Sequence, residues 1–198
     1  TSDVGKSTLL RQLAIAIATG QETFLGFEIK TTHQSVIYVS TEDDENAIAT
    51  LLRKQQNSLQ REQSKYEGLR YVFETDDLLN NLKRSLTAQP ADLVIIDAFT
   101  DLYVGNLNES NQVRNYLSGY TQLARKYNCL FLFLHHTGKK TEREMPSKNN
   151  LLGSQAFEAK MRLVIELRRD RVNSRLKHLC IVKGLSLIHI SEPTRLRR

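Results

Sequence analysis

The sequence predicts an α/β fold, a mainly parallel β-sheet flanked by helices. Three observations predict it. Short β-branched or apolar segments alternate with longer segments of helical periodicity, the order that builds parallel sheets. Two of the short segments, 92–98 (DLVIIDA) and 129–134 (CLFLFL), are apolar at consecutive positions, as strands buried on both faces are. The first helical segment opens directly on Gly5-Lys6-Ser7-Thr8.

Each element has its own justification. Residues 7–19 place Leu9, Leu10, Leu13, Ile15, Ala16 and Ile17 near helical spacing, and Gly20 ends the run. Residues 35–41 (SVIYVST) are short and β-branched, a strand. Residues 44–61 form a helix with Ala47, Ile48, Leu51, Leu52 and Leu59 as its apolar stripe. A second strand is expected at 69–73 and a short helix at 78–86, ending before Pro90. The third strand is 92–98, an amphipathic helix follows at 112–127, and the fourth strand is 129–134. Residues 139–150 are polar, hold four basic residues and one proline, and read as a long loop. A helical turn is expected at 153–159. Late strands at 163–167 and 179–182 would pair antiparallel through 170–175. No internal repeat is present.

Composition narrows the class. With 198 residues, 40% hydrophobic and 25% charged, the chain suits one globular domain and not a disordered segment. No apolar run approaches the ~18–20 residues that span a bilayer, so no membrane partner is expected. The chain opens on polar residues, with no signal-peptide pattern, and a cytoplasmic location is expected. Cys129 and Cys180 each lie in an apolar stretch and read as reduced core residues. Lys and Arg number 28 against 22 Asp and Glu, a net charge of +6, which is compatible with a nucleic-acid partner.

Both ends read as unusual. The phosphate-binding loop pattern is G-x-x-x-x-G-K-[ST], and its first glycine would fall just before Thr1. The expectation is an N-terminally truncated chain lacking the first strand of its sheet. Residues 186–195 (SLIHISEPTR) resemble a translated sequencing adapter. The domain reading is therefore 1–184 for the functional domain and 185–198 for a non-native tail. That tail holds Arg195, Arg197 and Arg198 against Glu192, so without it the net charge falls from +6 to +4.

The chemistry begins at the start of the chain. Asp3, Val4, Gly5, Lys6, Ser7 and Thr8 form the phosphate-binding segment. Its backbone N–H groups and the positive end of the following helix would wrap a β-phosphate, with Lys6 meeting the β- and γ-phosphates. Ser7 offers a hydroxyl to Mg²⁺. Asp97, at the tip of a buried strand, is the second expected Mg²⁺ residue, acting through water. Glu42 follows the strand 35–41, where it would orient or deprotonate the water attacking the γ-phosphate; the other reading open to it is a helix cap. Asp43 and Asp44 read as belonging to the next helix N-terminus. His135-His136 ends the fourth strand. No Cys or third His lies nearby, so a polar γ-phosphate sensor fits better than zinc.

Taken in order, GKSTLLRQLAIAIATG, VIYVSTEDD, DLVIIDAFTDLY and FLFLHHTGK resemble the RecA-like P-loop ATPase core. The closest likeness is to the RepA-type hexameric helicase branch, related to DnaB-type replicative helicases, and it covers about residues 1–184. The resemblance implies ATP and Mg²⁺ as ligands, Glu42 as catalytic glutamate, Asp97 as the metal-side aspartate and His136 as γ-phosphate sensor. It further implies that Arg162, after the turn Gly153-Ser154-Gln155, reaches a neighbouring subunit's nucleotide. Lys183 resembles a second basic residue of that kind. Lys139, Lys140, Arg143 and Lys148 could contact the backbone of single-stranded DNA, in a loop with no aromatic residue for base stacking. Gly105 to Asn111 is a second loop that could face DNA.

The expected function is an ATP-driven motor on single-stranded DNA, a ring-forming, hexameric homo-oligomeric helicase of a plasmid, phage or mobile element. Two other readings stand beside it: a RecA- or RadA-like recombination or repair ATPase, and an ATP-switched regulatory or assembly protein without DNA contact.

Overall fold

Val36–Ser40 (β3) and Leu93–Asp97 (β5) are buried at every position, as continuous apolar runs dictate when both faces of a strand are covered. They pair in parallel with Val36 opposite Leu93 and Ser40 opposite Asp97, so the two strands end together. The computed structural model describes residues 4–58, 66–103, 105–107, 109–136, 144–151, 155–173, 175–184 and 194–196. Leu69–Val72 (β4) joins β3 on one side and Leu130–Phe133 (β6) joins β5 on the other, both parallel. The sheet order is β4-β3-β5-β6.

Helices cover both faces. Lys6–Ala18 (α1) lays Leu10, Ala14 and Ile17 on one face, against Val36, Tyr38, Leu93 and Ile95. These strand residues alternate, so Ile37, Val39, Val94 and Ile96 fill the opposite face. There, Ser110–Tyr127 (α5) brings the Tyr120 ring edge-on to Phe131 and Phe133, with centroids 5.8 and 5.5 Å away. Leu78–Ala88 (α3) buries Leu78, Leu82 and Leu86. Gly119 lets α3 approach α5, since a Cβ there would lie 2.8 Å from a methyl carbon of Leu79. Glu45–Ser58 (α2) links β3 to β4. The mixed α/β fold with a central, mostly parallel sheet is thus observed.

The differences from the expected elements are local. A small hairpin, Thr23–Phe24 (β1) with Phe27–Glu28 (β2), has no apolar periodicity to announce it. A one-turn helix, Phe99–Leu102 (α4), follows β5. β6 reads as a doubly buried strand but lies at the edge of the described sheet, with Leu130 62% exposed.

Two compact units divide the chain. One comprises Ser7–Val104 and Ser118–Leu134 and holds the parallel sheet; the other comprises Thr1–Lys6, Gly105–Leu117 and His135–Arg198. In the second, Gln155–Lys160 (α6) precedes Val164–Arg169 (β7) and Lys177–Lys183 (β8), which pair antiparallel as the sequence predicts. Thr194–Leu196 (β9), within the segment read as a tail, lies beside β8. Ion pairs hold this unit: Lys183 Nζ lies 2.9 Å from Glu158 Oε1, and Arg168 Nη2 2.7 Å from Glu166 Oε1. Both cysteines are free thiols; burial pushes Cys129 up to about 11 and also raises Cys180.

Candidate nucleotide site

The shared end of β3 and β5 gathers the carboxylates. Positions 93, 95 and 97 face the same side as 36, 38 and 40, the side that α1 covers. Asp97 therefore emerges under the helix that begins at Lys6. It is 6% exposed. The Tyr38 hydroxyl, one diagonal step away on the neighbouring strand, donates to its Oδ2 at 2.5 Å. Burial, and then the Asp97 charge, push the Tyr38 phenol far above its usual range, so it remains a donor. The other oxygen, Oδ1, is buried with no hydrogen-bond partner among the described residues. A buried carboxylate held on one oxygen and open on the other fits a hydrated cation, which would supply the missing interaction.

Thr41 ties the two strand ends together. Its backbone N–H donates to Asp97 O at 2.8 Å, and its hydroxyl accepts from the Ala98 N–H at 2.9 Å and donates to Asp101 Oδ2 at 2.8 Å. Glu42 follows, exposed, one residue beyond this anchor. The helix-capping role falls to Asp44, whose Oδ1 accepts from the Ala47 N–H at 2.8 Å at the start of α2. Asp43, expected at the same cap, instead turns toward Arg11, its Oδ2 3.9 Å from Nη1.

Gly5 has φ +92, a conformation that favours glycine, and α1 begins at the next residue. A Cβ at Gly5 would lie 2.5 Å from Lys177 Nζ, so the backbone there leaves room for a second ammonium. The first turn of α1 carries no acidic residue. Val4 is buried, Lys6 and Ser7 are half-buried and Thr8 is exposed. Asp3 lies outside the described residues.

The two histidines differ. His135 is 7% exposed, its ring centroid 4.8 Å from that of Phe157. Its Nδ1 donates to the His136 carbonyl at 2.7 Å, which fixes the proton on Nδ1 when the ring is neutral. Burial holds its pKa below the ordinary histidine value, and the charge of Lys6 adds to that. His136, the expected sensor, is half-buried. Arg162 is exposed between α6 and β7. Lys183 and Lys148 both pair with Glu158 of their own chain. Thr137, Lys139, Lys140, Arg143, Gly153 and Ser154 lie outside the described residues.

Glu42, Asp97, Ser7 and Thr8 thus share one compact unit, while Val4, Gly5, Lys6, His136 and Arg162 belong to the other. Tyr38, Thr41 and Arg11 were not singled out in the sequence. The signals for them were a tyrosine at the only large polar position of an apolar strand and a cation within an otherwise apolar helix face. Among the described residues no group of three His, Cys, Asp or Glu could hold a metal by itself. None of the described helices is long and apolar enough to cross a membrane.

A central, mostly parallel sheet flanked by helices, with strands 36–40 and 93–97 ending together, matches the core of a RecA-like P-loop NTPase. The chain belongs to the AAA domain family, whose sequence model (AAA_25) matches residues 1–142. No curated protein matches the chain. It is an ATP-binding and ATP-hydrolysing enzyme of that family.

Proposed function

We propose that this chain is an ATP-driven motor acting on single-stranded DNA, a RepA- or DnaB-like helicase-type ATPase working as a ring. The observation that carries the nucleotide chemistry is Asp97, fixed by Tyr38 on one oxygen and open on the other, at the same sheet edge as Glu42. Lys6 and the backbone of residues 4–8 would hold the phosphates, and Ser7 and Asp97 would hold Mg²⁺. The bound cation would neutralise charge on the β- and γ-phosphate oxygens.

The chain's own groups divide the remaining work. Glu42 accepts the proton of the attacking water. Tyr38 and Thr41 keep the Asp97 carboxylate and the strand ends aligned. His136 reports the γ-phosphate to the segment that follows it. Arg162, exposed and always charged, suits insertion into a neighbouring subunit's site. The DNA assignment is supported by the order of the four motifs and by the basic residues from Lys139 to Lys148, which would neutralise backbone phosphates without reading sequence.

Two measurements test the reading. ATP hydrolysis should rise on addition of single-stranded DNA; an unchanged rate would favour the regulatory ATPase. Arg162→Ala and Glu42→Gln proteins should each be slow and should recover activity when mixed, because some mixed interfaces hold both native groups. Mixed oligomers without recovery would return Arg162 to its own subunit.

A further inference from the structure

Arg11 is an expensive residue for its position. It lies on α1, 4% exposed, five residues past Lys6. Leu10, Ala14 and Ile17 already make the contacts of α1 with the sheet, so packing does not call for a charge here. A buried guanidinium needs compensation, and an apolar side chain of similar length would avoid that cost. The compensation found is specific. Nε donates to Gln55 Oε1 at 3.3 Å, and the same amide donates from Nε2 to the Thr8 carbonyl at 3.1 Å. Nη1 points toward Asp43 Oδ2 at 3.9 Å and is buried without a hydrogen bond among the described residues.

Asp43 is the residue after Glu42. On the near side, Thr41 is hooked to the Asp97 backbone. On the far side, the Asp43 carbonyl accepts from Ser40 Oγ at 2.9 Å, and its carboxylate faces Arg11. Glu42 is therefore held between two anchors, one on β5 and one on the helix that starts at Lys6. The buried phenols of Tyr38 and Tyr71 also feel this guanidinium but are held un-ionised by burial, so among the described residues Asp43 is the carboxylate paired with its charge.

We infer that Arg11 is a positioning residue, which through Asp43 fixes Glu42 relative to α1, the helix whose first turn carries Ser7 and Thr8. This rests on Glu42 acting as the base. A displacement of the base by about 1 Å is enough to slow chemistry by up to ~10²-fold while leaving nucleotide contacts in place.

The test uses the full chain with four variants: Arg11→Met, Arg11→Lys, Asp43→Asn and Glu42→Gln. Affinity is read with a fluorescent ATP analogue, separately from turnover. Arg11→Met and Asp43→Asn should each lower kcat by roughly 10–10²-fold with analogue affinity within about threefold, and Arg11→Lys should recover part of the loss. In the Glu42→Gln background, Arg11→Met should cause no further loss, because residues acting through one group are not additive. Additive losses, or affinity and kcat falling together, would overturn the proposal. If Arg11→Met does not fold, Asp43→Asn, with its half-exposed side chain, decides the matter alone: an unchanged kcat overturns the proposal. A Glu42→Gln protein with full turnover would instead remove the catalytic-base reading itself, a result that cannot be confused with a silent Asp43→Asn.

Discussion

Two carboxylates, Asp97 buried in the parallel sheet and Glu166 half-buried in the antiparallel hairpin, sit in opposite electrostatic circumstances. Glu166 is saturated: Arg168 donates from Nε at 2.8 Å, the Ser147 N–H at 3.2 Å, and Asn150 Nδ2 reaches both oxygens. Among the described residues Asp97 accepts one short side-chain hydrogen bond, and its other oxygen has no partner. Burial is therefore not what marks a site. What separates the two acids is that a carboxylate oxygen of Asp97 stands open to a ligand while those of Glu166 are both taken. The sheets differ in the same sense. β5 is covered on both faces, whereas β7 and β8 leave Ile165 and Ile181 each 48% exposed and are held by ion pairs.

The contrast can be broken in order of expected effect. Glu42→Gln should keep ATP bound and lower turnover by roughly 10²–10⁴, the range for a lost general base. Single-turnover hydrolysis beside equilibrium binding checks this, and loss of binding without loss of chemistry would contradict it. Glu166→Ala should do the reverse. It removes the carboxylate partner of Arg168 but leaves its bonds to the Glu144 and Met145 carbonyls, and should cost about 1–3 kcal/mol of stability. Urea titration reads that loss; a large drop in ATP affinity with unchanged stability would erase the distinction between the two acids.

Tyr38→Phe sharpens the comparison further. It removes the Tyr38 hydroxyl as donor to Asp97 Oδ2, and such outer partners are worth about 10–100-fold in metal affinity. The Mg²⁺ concentration for half-maximal ATPase should rise accordingly. An unchanged Mg²⁺ requirement would mean that the hydroxyl serves packing only.

The smallest effect concerns His135. Burial keeps its pKa low when folded, so between that value and about 6.5 the unfolded chain binds more protons. The stability it contributes is present above about pH 6.5 and is lost as the pH falls toward the folded value. Tm should drop on mild acidification, and His135→Gln should flatten that slope.

How much of this was legible in the sequence follows from which interactions are local. The strands 36–40 and 93–97 announced themselves by continuous apolar residues, and Lys6, Ser7, Glu42 and Asp97 by position relative to helix starts and strand ends. The Tyr38–Asp97 bond was not legible, because it exists only once parallel pairing sets Ser40 beside Asp97. Arg11 was hidden for a similar reason: its partners are 32 and 44 residues away, on a turn and a different helix. The assignment of the cap to Asp44 instead of Asp43 depended on one residue of offset at α2, a resolution that periodicity does not offer. Exposure of β6 depends on which strands flank it, and its own composition says nothing of that.

The reluctant thiols of Cys129 and Cys180 have a practical consequence. With Cys129 raised to about 11, only on the order of one molecule in ten thousand carries its thiolate at pH 7. Cys180 is shifted in the same direction and is half-buried. Alkylating reagents should therefore leave the native chain almost untouched under brief treatment at neutral pH. A cysteine introduced at an exposed position such as Arg162 would take a maleimide fluorophore almost alone. The protein arrives with a dark background, ready for a single reporter dye.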